Sequence, residues 1–367
     1  MRPYKFIISG GGTGGHIFPA IAIANEIKVR YPDAEILFVG ALGRMEMEKI
    51  PAAGYKIIGL NISGIQRSFT LKNFLVPFRL LGALAQSSRI IKEFKPDAVI
   101  GVGGYASAAV LFMATTKGIP TLVQEQNSYP GITNKVLSKR VNKLCVAYPN
   151  MERFFPKNKI VYTGNPVRHE ILNQEGKRDQ ALQHFGLNPN KKTLLVVGGS
   201  LGAQSINDSI LNGLSQIKES GLQLIWQTGK GFDGKAAEAV KTINDSGIQT
   251  FAFIKEMDLA YAASDIVISR AGALAVSELC LVQKASILVP YPFASEDHQT
   301  HNAQSLVEKG AALLVKDSDA RTKLVEVLLE LNQNTTACDG LVKAIAEFGK
   351  PDATREIVDE VIKMIKV

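Results

Sequence analysis

The sequence predicts an α/β protein of two Rossmann-like parallel-sheet domains facing a central cleft. Three observations carry that expectation. The first is a pattern that occurs twice: Lys5-Phe6-Ile7-Ile8-Ser9 runs into Gly11-Gly12-Thr13-Gly14-Gly15-His16, and Thr193-Leu194-Leu195-Val196-Val197 runs into Gly198-Gly199-Ser200-Leu201-Gly202-Ala203. In each, a short apolar strand meets a glycine-rich turn and then a helical pattern. Glycine lets the backbone turn tightly and come close to a ligand, and the helix that follows offers unpaired N–H groups and a positive dipole end to an anion. The second observation is that short apolar runs alternate with helix-length segments along the chain, the signature of βαβ units. The third is length: 367 residues leave room for about two to three domains. Two nucleotide-type folds sharing a cleft suit a transferase with a diphosphate-linked donor.

Taken in order, the strands after the first glycine turn are Ile36–Val39, Tyr55–Leu60, Ala98–Val102, Thr121–Val123 and Lys143–Val146. Ala98 to Thr116 carries no charge and approaches the ~20 residues of a spanning helix. Its Gly101, Gly103, Gly104 and Ser107 instead read as a buried strand, a glycine turn and a core helix. The turn cluster Thr163-Gly164-Asn165-Pro166 closes a first domain, residues 1–163. The second domain, residues 164–350, has strands at Leu222–Trp226, Thr250–Phe253, Ile266–Ile268, Ser286–Val289 and Ala312–Val315. After Gly349-Lys350-Pro351, apolar residues at Ile357, Val358, Val361, Ile362 and Ile365 make an amphipathic helix in residues 351–367, expected to pack back on the first domain.

Composition excludes several classes. With 46% hydrophobic and 21% charged residues the chain is globular. Cys145, Cys280 and Cys338 are scattered, with neither a disulfide framework nor metal-ligand spacing, as expected in a reducing compartment. The start of the chain reads as a strand, not a secretory signal. Charge is uneven. Residues 1–163 hold 21 Lys+Arg against 9 Asp+Glu, a net +12, and the remainder nets −4. The first half should therefore meet an anionic surface. No basic run interleaved with aromatics and no helix-turn-helix is present, which disfavours nucleic acid and leaves anionic lipid.

Gly10 to Gly15 also fits the dinucleotide fingerprint G-x-G-x-x-G. That fingerprint expects an acid at the end of the second strand, and here the strand ends in Gly40-Ala41. A dinucleotide oxidoreductase is thereby disfavoured; a glycine turn with no ligand is the plain alternative. His16 opens the next helix, where the dipole disfavours the imidazolium and a neutral ring can accept a proton. Gly103-Gly104-Tyr105 and Gln124-Glu125-Gln126-Asn127 follow later strands. In a parallel sheet these ends share one edge, so His16, Tyr105, Glu125 and Asn127 should line one cleft. Glu125 reads equally well as a solvated loop acid, an isolated arginine such as Arg168 is more often a surface residue, and the plain reading of Glu278 is a helix-surface acid.

The ordered set Gly-Gly-Thr-Gly-Gly-His, Gly-Gly-Tyr, Glu-Gln-Asn, Thr-Gly-Asn-Pro-Val-Arg, Gly-Gly-Ser-Leu-Gly-Ala, Ser-Arg-Ala-Gly-Ala and Asp-His-Gln-Thr-His-Asn-Ala spans essentially the whole chain. It resembles glycosyltransferase family 28, of GT-B architecture, and within it the bacterial N-acetylglucosaminyltransferases that make lipid II. The resemblance implies an inverting, metal-independent and cofactor-free transfer of N-acetylglucosamine from UDP-GlcNAc to the 4-hydroxyl of MurNAc in undecaprenyl-diphospho-MurNAc-pentapeptide (lipid I), a step of peptidoglycan synthesis. It places donor contacts at Thr13, Gly14, Gly15, Asn127, Arg168, Ser200, the backbone of Ile254, the segment Ala273-Leu274-Ala275-Val276-Ser277-Glu278 and Gln299. Glu278 would hold the ribose hydroxyls and Arg168 would lie near the phosphates. Gly103, Gly104 and Tyr105 fall on the acceptor side. The general base is His16 or, second, Glu125, and the two stay open. The pattern departs from many relatives at Gln124, Ala108-Ala109 and Ala275. Alternatives of the same architecture are another lipid glycosyltransferase or a UDP-GlcNAc epimerase; a non-catalytic membrane adaptor would not need glycine loops in both domains.

Thr70–Phe94 combines Leu71, Phe74, Leu75, Val76, Phe78, Leu80, Leu81, Leu84, Ile90 and Ile91 with Lys72, Arg79, Arg89 and Lys92. It reads either as a buried helix with basic ends or as an interfacial anchor. In the resembled family this region meets the bilayer, which implies a peripheral protein on the cytoplasmic face of the bacterial plasma membrane, among other cell-wall synthesis proteins. Asp317-Ser318-Asp319 has the form of a metal-binding D-x-D, but its place before the helical run Lys323–Leu331 is more simply explained by helix capping.

Overall fold

The computed structural model describes residues 2–62 and 76–365. By contacts the chain divides into two units, Met1–Val167 with Pro351–Val367, and Arg168–Lys350. Residues 164–167 stay with the first unit because the Gly164 amide donates to the Val146 carbonyl at 3.1 Å and the Asn165 side chain donates to the Gln126 carbonyl at 3.0 Å.

The first unit is built on seven strands: β1 (Lys5–Gly10), β2 (Glu35–Ala41), β3 (Lys56–Leu60), β4 (Ala98–Gly103), β5 (Thr121–Glu125), β6 (Lys143–Val146) and β7 (Ile160–Tyr162). All pairings are parallel, in the order β3-β2-β1-β4-β5-β6-β7. The order reverses at β1, which lies between β2 and β4. Such a switch point opens a crevice at the carboxyl ends of the strands. Helices α1 (Gly14–Arg30), α2 (Glu46–Ala52), α3 (Val76–Phe94), α4 (Tyr105–Thr116) and α5 (Ile132–Ser138) follow their strands. Strand β7 was not legible, being three half-buried residues in a polar context. Tyr105, expected in a glycine turn, is the first residue of α4.

The C-terminal helix Ala353–Ile365 belongs to this unit. Ile357, Val358, Val361 and Ile362 join the core of Phe6, Ile8, Ile17, Ile23 and Ile27. Each such side chain contributes ~1.5–3 kcal/mol on burial. Arg30 pairs with Asp359 at 2.7 Å.

The second unit holds β8 (Thr193–Val197), β9 (Gln223–Gln227), β10 (Ile248–Phe251), β11 (Ile266–Ser269), β12 (Ala285–Leu288) and β13 (Leu313–Leu314). They are parallel, in the order β10-β9-β8-β11-β12-β13. The switch point is again at the strand that feeds a glycine loop, here β8. Its core surrounds Trp226, which is fully buried with its indole N–H donated to Asn207 at 3.0 Å. Strand β10 starts two positions before the expected Thr250, because Ile248 is the buried residue.

Candidate active site

In the first unit β1 delivers Gly10 to a turn, and Thr13 stands at the N-cap of α1 without a side-chain capping bond. Gly14 and Gly15 open the helix and His16 is its third residue. The His16 Nδ1 lies 2.8 Å from the Gly11 carbonyl oxygen. A carbonyl only accepts, so Nδ1 carries the proton and Nε2 of the neutral ring is bare. A Cβ on Gly103 would lie 2.8 Å from that Nε2, and Gly103 has φ +105°. Glycine there provides both the backbone conformation and the room beside the nitrogen. Burial lowers the pKa of His16 from its ordinary value, against opposing effects of the Gly11 carbonyl and the Glu46 charge. The ring is thus kept neutral and oriented, as a general base requires.

Glu125 ends β5 and is 1% exposed. Its carboxylate accepts from the Asn127 amide at 3.0 Å, the Asn127 side chain at 3.2 Å, the Gly131 amide at 3.3 Å and the Asn134 side chain at 2.8 Å. These donors make it a brace of the loop between β5 and α5, and it holds Asn127 in place. Gln124 has a definite role too: its amide donates to Asn165 at 2.8 Å, and its oxygen accepts from Gln126. Gln126 in turn donates to the Val102 carbonyl at 3.0 Å, tying the end of β5 to the end of β4. Tyr105 is more than half exposed at that same edge.

In the second unit the loop Gly198–Ala203 packs backbone against backbone. Gly202 has φ +78°, and a Cβ there would sit 2.0 Å from the Thr228 carbonyl oxygen. Beside it lies a cavity of about 530 Å³, lined among others by Ser200, Gly272, Ala275, Gln299, Arg270 and Asp317. The size suits a small-molecule ligand. The helix Ala273–Val282 begins at the cavity wall after Gly272 and presents the positive end of its dipole. Gln299 accepts from the Tyr291 amide at 2.9 Å through Oε1, which leaves its amino group to donate.

Other carried-over positions lie elsewhere. Val276 is buried in the interior and its amide is spent on the Gly272 carbonyl at 2.9 Å. The Ser277 hydroxyl bonds back to the Ala273 carbonyl at 3.0 Å. Neither Leu274 nor Ile254 is among the cavity's lining residues, and the Ile254 amide donates to Gln227 Oε1 at 2.9 Å. Glu278 and Arg168 contact each other. Glu278 Oε1 accepts from the Arg168 guanidinium at 3.0 and 3.3 Å, and Oε2 accepts from the Tyr261 hydroxyl at 3.1 Å. Burial, then the Glu278 charge, pushes the Tyr261 phenol well above its usual value, so it stays a donor.

Sequence reasoning missed Arg270 and misread Asp317. Arg270 donates to the Val289 and Pro290 carbonyls at 3.0 and 3.2 Å and to Asp317 at 2.6 Å. Asp317 also accepts from the Ser205 hydroxyl. Burial opposes ionisation of Asp317, but these bonds outweigh it and hold the carboxyl below its usual range. The D-x-D segment is therefore corrected. Asp319 stands at the N-cap of the helix Ala320–Gln333 but makes no capping bond; it pairs with Lys323, and Asp317 is locked to Arg270. No group of three or more His, Cys, Asp or Glu able to hold a metal occurs among the described residues. The signal for Arg270 was present in Ser269-Arg270-Ala271-Gly272, where an arginine precedes the helix-opening glycine. Tyr261, buried in the helix Met257–Ala263, and Gln227, buried at the end of β9, carry no motif.

Two family models match: the glycosyltransferase family 28 N-terminal domain over residues 6–146 and the family 28 C-terminal domain over residues 193–357. A UDP-N-acetylglucosamine--N-acetylmuramyl-(pentapeptide) pyrophosphoryl-undecaprenol N-acetylglucosamine transferase of Cytophaga hutchinsonii is 54% identical over 365 residues, covering 100% of this chain and 98% of its own. The protein of the same name from Flavobacterium psychrophilum is 52% identical over 367 residues, covering 100% and 99%. Among solved structures, Acinetobacter baumannii MurG superposes with a TM-score of 0.80 at 29% identity, covering 98% of this chain and 100% of its own. The two parallel sheets, the paired glycine loops and this full-length likeness agree: the chain belongs to glycosyltransferase family 28.

Proposed function

We propose that this chain transfers N-acetylglucosamine from UDP-GlcNAc to the 4-hydroxyl of MurNAc in undecaprenyl-diphospho-MurNAc-pentapeptide, converting lipid I to lipid II. The observation that carries the reading is the cavity of the second unit, where a glycine loop and a helix N-terminus converge with Ser200, Ala275 and Gln299. Its oriented N–H groups suit a diphosphate. The names of the full-length relatives supply the sugar and the acceptor.

In the step proposed, the acceptor 4-oxygen attacks the anomeric carbon while the bond from that carbon to the diphosphate oxygen breaks. His16 Nε2 takes the hydroxyl proton, and UDP departs with the electron pair of the broken bond. Negative charge grows on the leaving diphosphate, and the N-terminus of the helix Ala273–Val282 stabilises it electrostatically. This is why no metal is required in the proposal. Arg168 adds a permanent positive charge once the donor competes with Glu278 for it. Glu278 keeps lone pairs for the ribose hydroxyls. Glu125 serves by holding Asn127 toward the sugar. The protein acts peripherally on the cytoplasmic face of the plasma membrane, through Phe78, Leu80 and Leu81, which stand exposed on α3.

The test incubates the protein with radiolabelled UDP-GlcNAc and a short-chain lipid I analogue, with and without EDTA. Label should enter the lipid only when the acceptor is present, at an EDTA-independent rate. Turnover of the donor without acceptor would identify an epimerase, and preferential labelling of a different lipid would overturn the acceptor assignment.

A further inference from the structure

The first glycine loop contains a buried acid that its motif does not announce. Glu46 is the first residue of α2 and 1% exposed. Its Oε2 accepts from the Gly12 amide at 2.8 Å and its Oε1 from the Ala41 amide at 3.0 Å. The carboxylate therefore joins the turn after β1 to the last residue of β2. Space for it is made by missing side chains. A Cβ on Gly11 would lie 2.1 Å from Glu46 Oε1, and one on Gly40 would lie 2.6 Å from Glu46 Cγ. Neighbouring Lys49 pairs with Glu48, not with Glu46. Burying a carboxylate costs several kcal/mol unless its partners compensate, and a glutamine could accept only one of the two N–H groups.

We propose that Glu46 is a positioning residue for His16: clamped by Gly12 and Ala41, it fixes the turn whose Gly11 carbonyl orients the imidazole, and its charge favours the imidazolium formed when the acceptor hydroxyl loses its proton. This rests on His16 acting as the base. The Gly12 amide, which an anion could otherwise use, is already spent. The groups acting on the ring are Glu46 from α2, the Gly11 carbonyl, and the positive end of α1, of which His16 is the third residue.

The test compares Glu46→Gln and Glu46→Asp with the unaltered full-length protein. One readout is NMR of His16, one of five histidines, assigned with a His16→Ala variant; the other is kcat and KM across pH. Unaltered protein should show the proton on Nδ1. Glu46→Gln should move the His16 titration and the acid limb of kcat/KM to lower pH. It should lower kcat about tenfold, part of the ~10²–10⁴ contributed by general-base catalysis, with KM for UDP-GlcNAc unchanged. Glu46→Asp, which keeps the charge, should restore the limb. A proton on Nε2 in the unaltered protein overturns the proposal even if no variant folds. So does an unshifted His16 titration in Glu46→Gln. Full turnover by His16→Ala would instead remove His16 as the base, a result that leaves the NMR comparison intact and so separates the two failures.

Discussion

His16 shows how a common residue acquires a defined protonation state. Its Nδ1–H is committed to Gly11 and its Nε2 faces the gap left by Gly103. Because its folded pKa lies below the ordinary 6.5, the ring stays neutral as pH falls through that value. The acid limb of kcat/KM should therefore lie below 6.5, and His16→Ala should lower kcat by ~10²–10⁴ with little change in donor KM. The same depression bears on stability. Between the folded pKa and 6.5 the unfolded chain binds more protons, so the stability contributed by neutral His16 is present above 6.5 and is lost as pH falls toward the folded pKa. Urea midpoints measured from pH 7.5 downward should show that loss in the unaltered protein and less of it in His16→Ala. A second residue-scale outcome concerns Glu278, held by Arg168 and Tyr261. Hydrogen bonds to charged groups contribute ~1.5–3 kcal/mol, so Glu278→Gln should raise KM for UDP-GlcNAc roughly tenfold or more while kcat changes less. Tyr261→Phe should move KM in the same direction by a smaller factor. An unchanged KM in both would assign the trio to structure alone.

At the scale of elements, the chain announces its strands because buried parallel strands are uninterrupted apolar runs. Lys5 to Ser9, Ala98 to Val102 and Thr193 to Val197 are visible for that reason. Strand β7 was invisible because Ile160–Tyr162 is half-buried at the sheet edge and too short for a pattern. The glycine loops and His16 were legible because they are local in sequence. The contacts that organise them join distant positions: Glu46 to Gly12, Gln227 to both Gly199 and Ile254, Arg270 to Asp317. No spacing rule encodes such pairs. Asp317 was misread for the same cause, since adjacency to a helix suggested a cap while the partner lay 47 positions away. The C-terminal helix gives a direct test of element-level packing. Ile357 is fully buried in the first unit's core, so Ile357→Ala should remove ~2–5 kcal/mol. The single tryptophan, Trp226, lies in the second unit's core. Far-UV circular dichroism should thus register an earlier unfolding transition in this variant, while the Trp226 fluorescence transition stays where it was. A shift of the fluorescence transition by the same amount would mean that the helix stabilises both units.

At the scale of the whole molecule, the first unit carries both an excess of positive charge and exposed apolar side chains on α3. Residues 1–163 carry a net +12 while the remainder carries −4. Among the described residues no helix is long and apolar enough to cross a membrane. Along helix α3 burial divides by face. Ala83, Ser87, Ile90 and Ile91 are buried, whereas Phe78 and Leu81 are 73% and 64% exposed. Leu71, Lys72, Phe74 and Leu75 lie outside the described residues. Large apolar side chains on a cationic unit are the two ingredients of interfacial binding, one contributing burial among acyl chains and the other attraction to anionic headgroups. The two contributions separate experimentally. Vesicles containing phosphatidylglycerol should bind the protein more tightly than phosphatidylcholine vesicles, and raising salt from about 0.05 to 0.5 M should weaken that binding as the Debye length shrinks. Substituting Phe78→Ser and Leu81→Ser together should weaken binding to both vesicle types and leave the steepness of the salt dependence as it was, because no charge is removed. The double variant should keep its turnover on a short-chain, water-soluble acceptor and lose it selectively on acceptor embedded in vesicles. Equal losses on the two acceptors would place Phe78 and Leu81 in acceptor binding, and unchanged vesicle binding would remove this face from the membrane contact altogether.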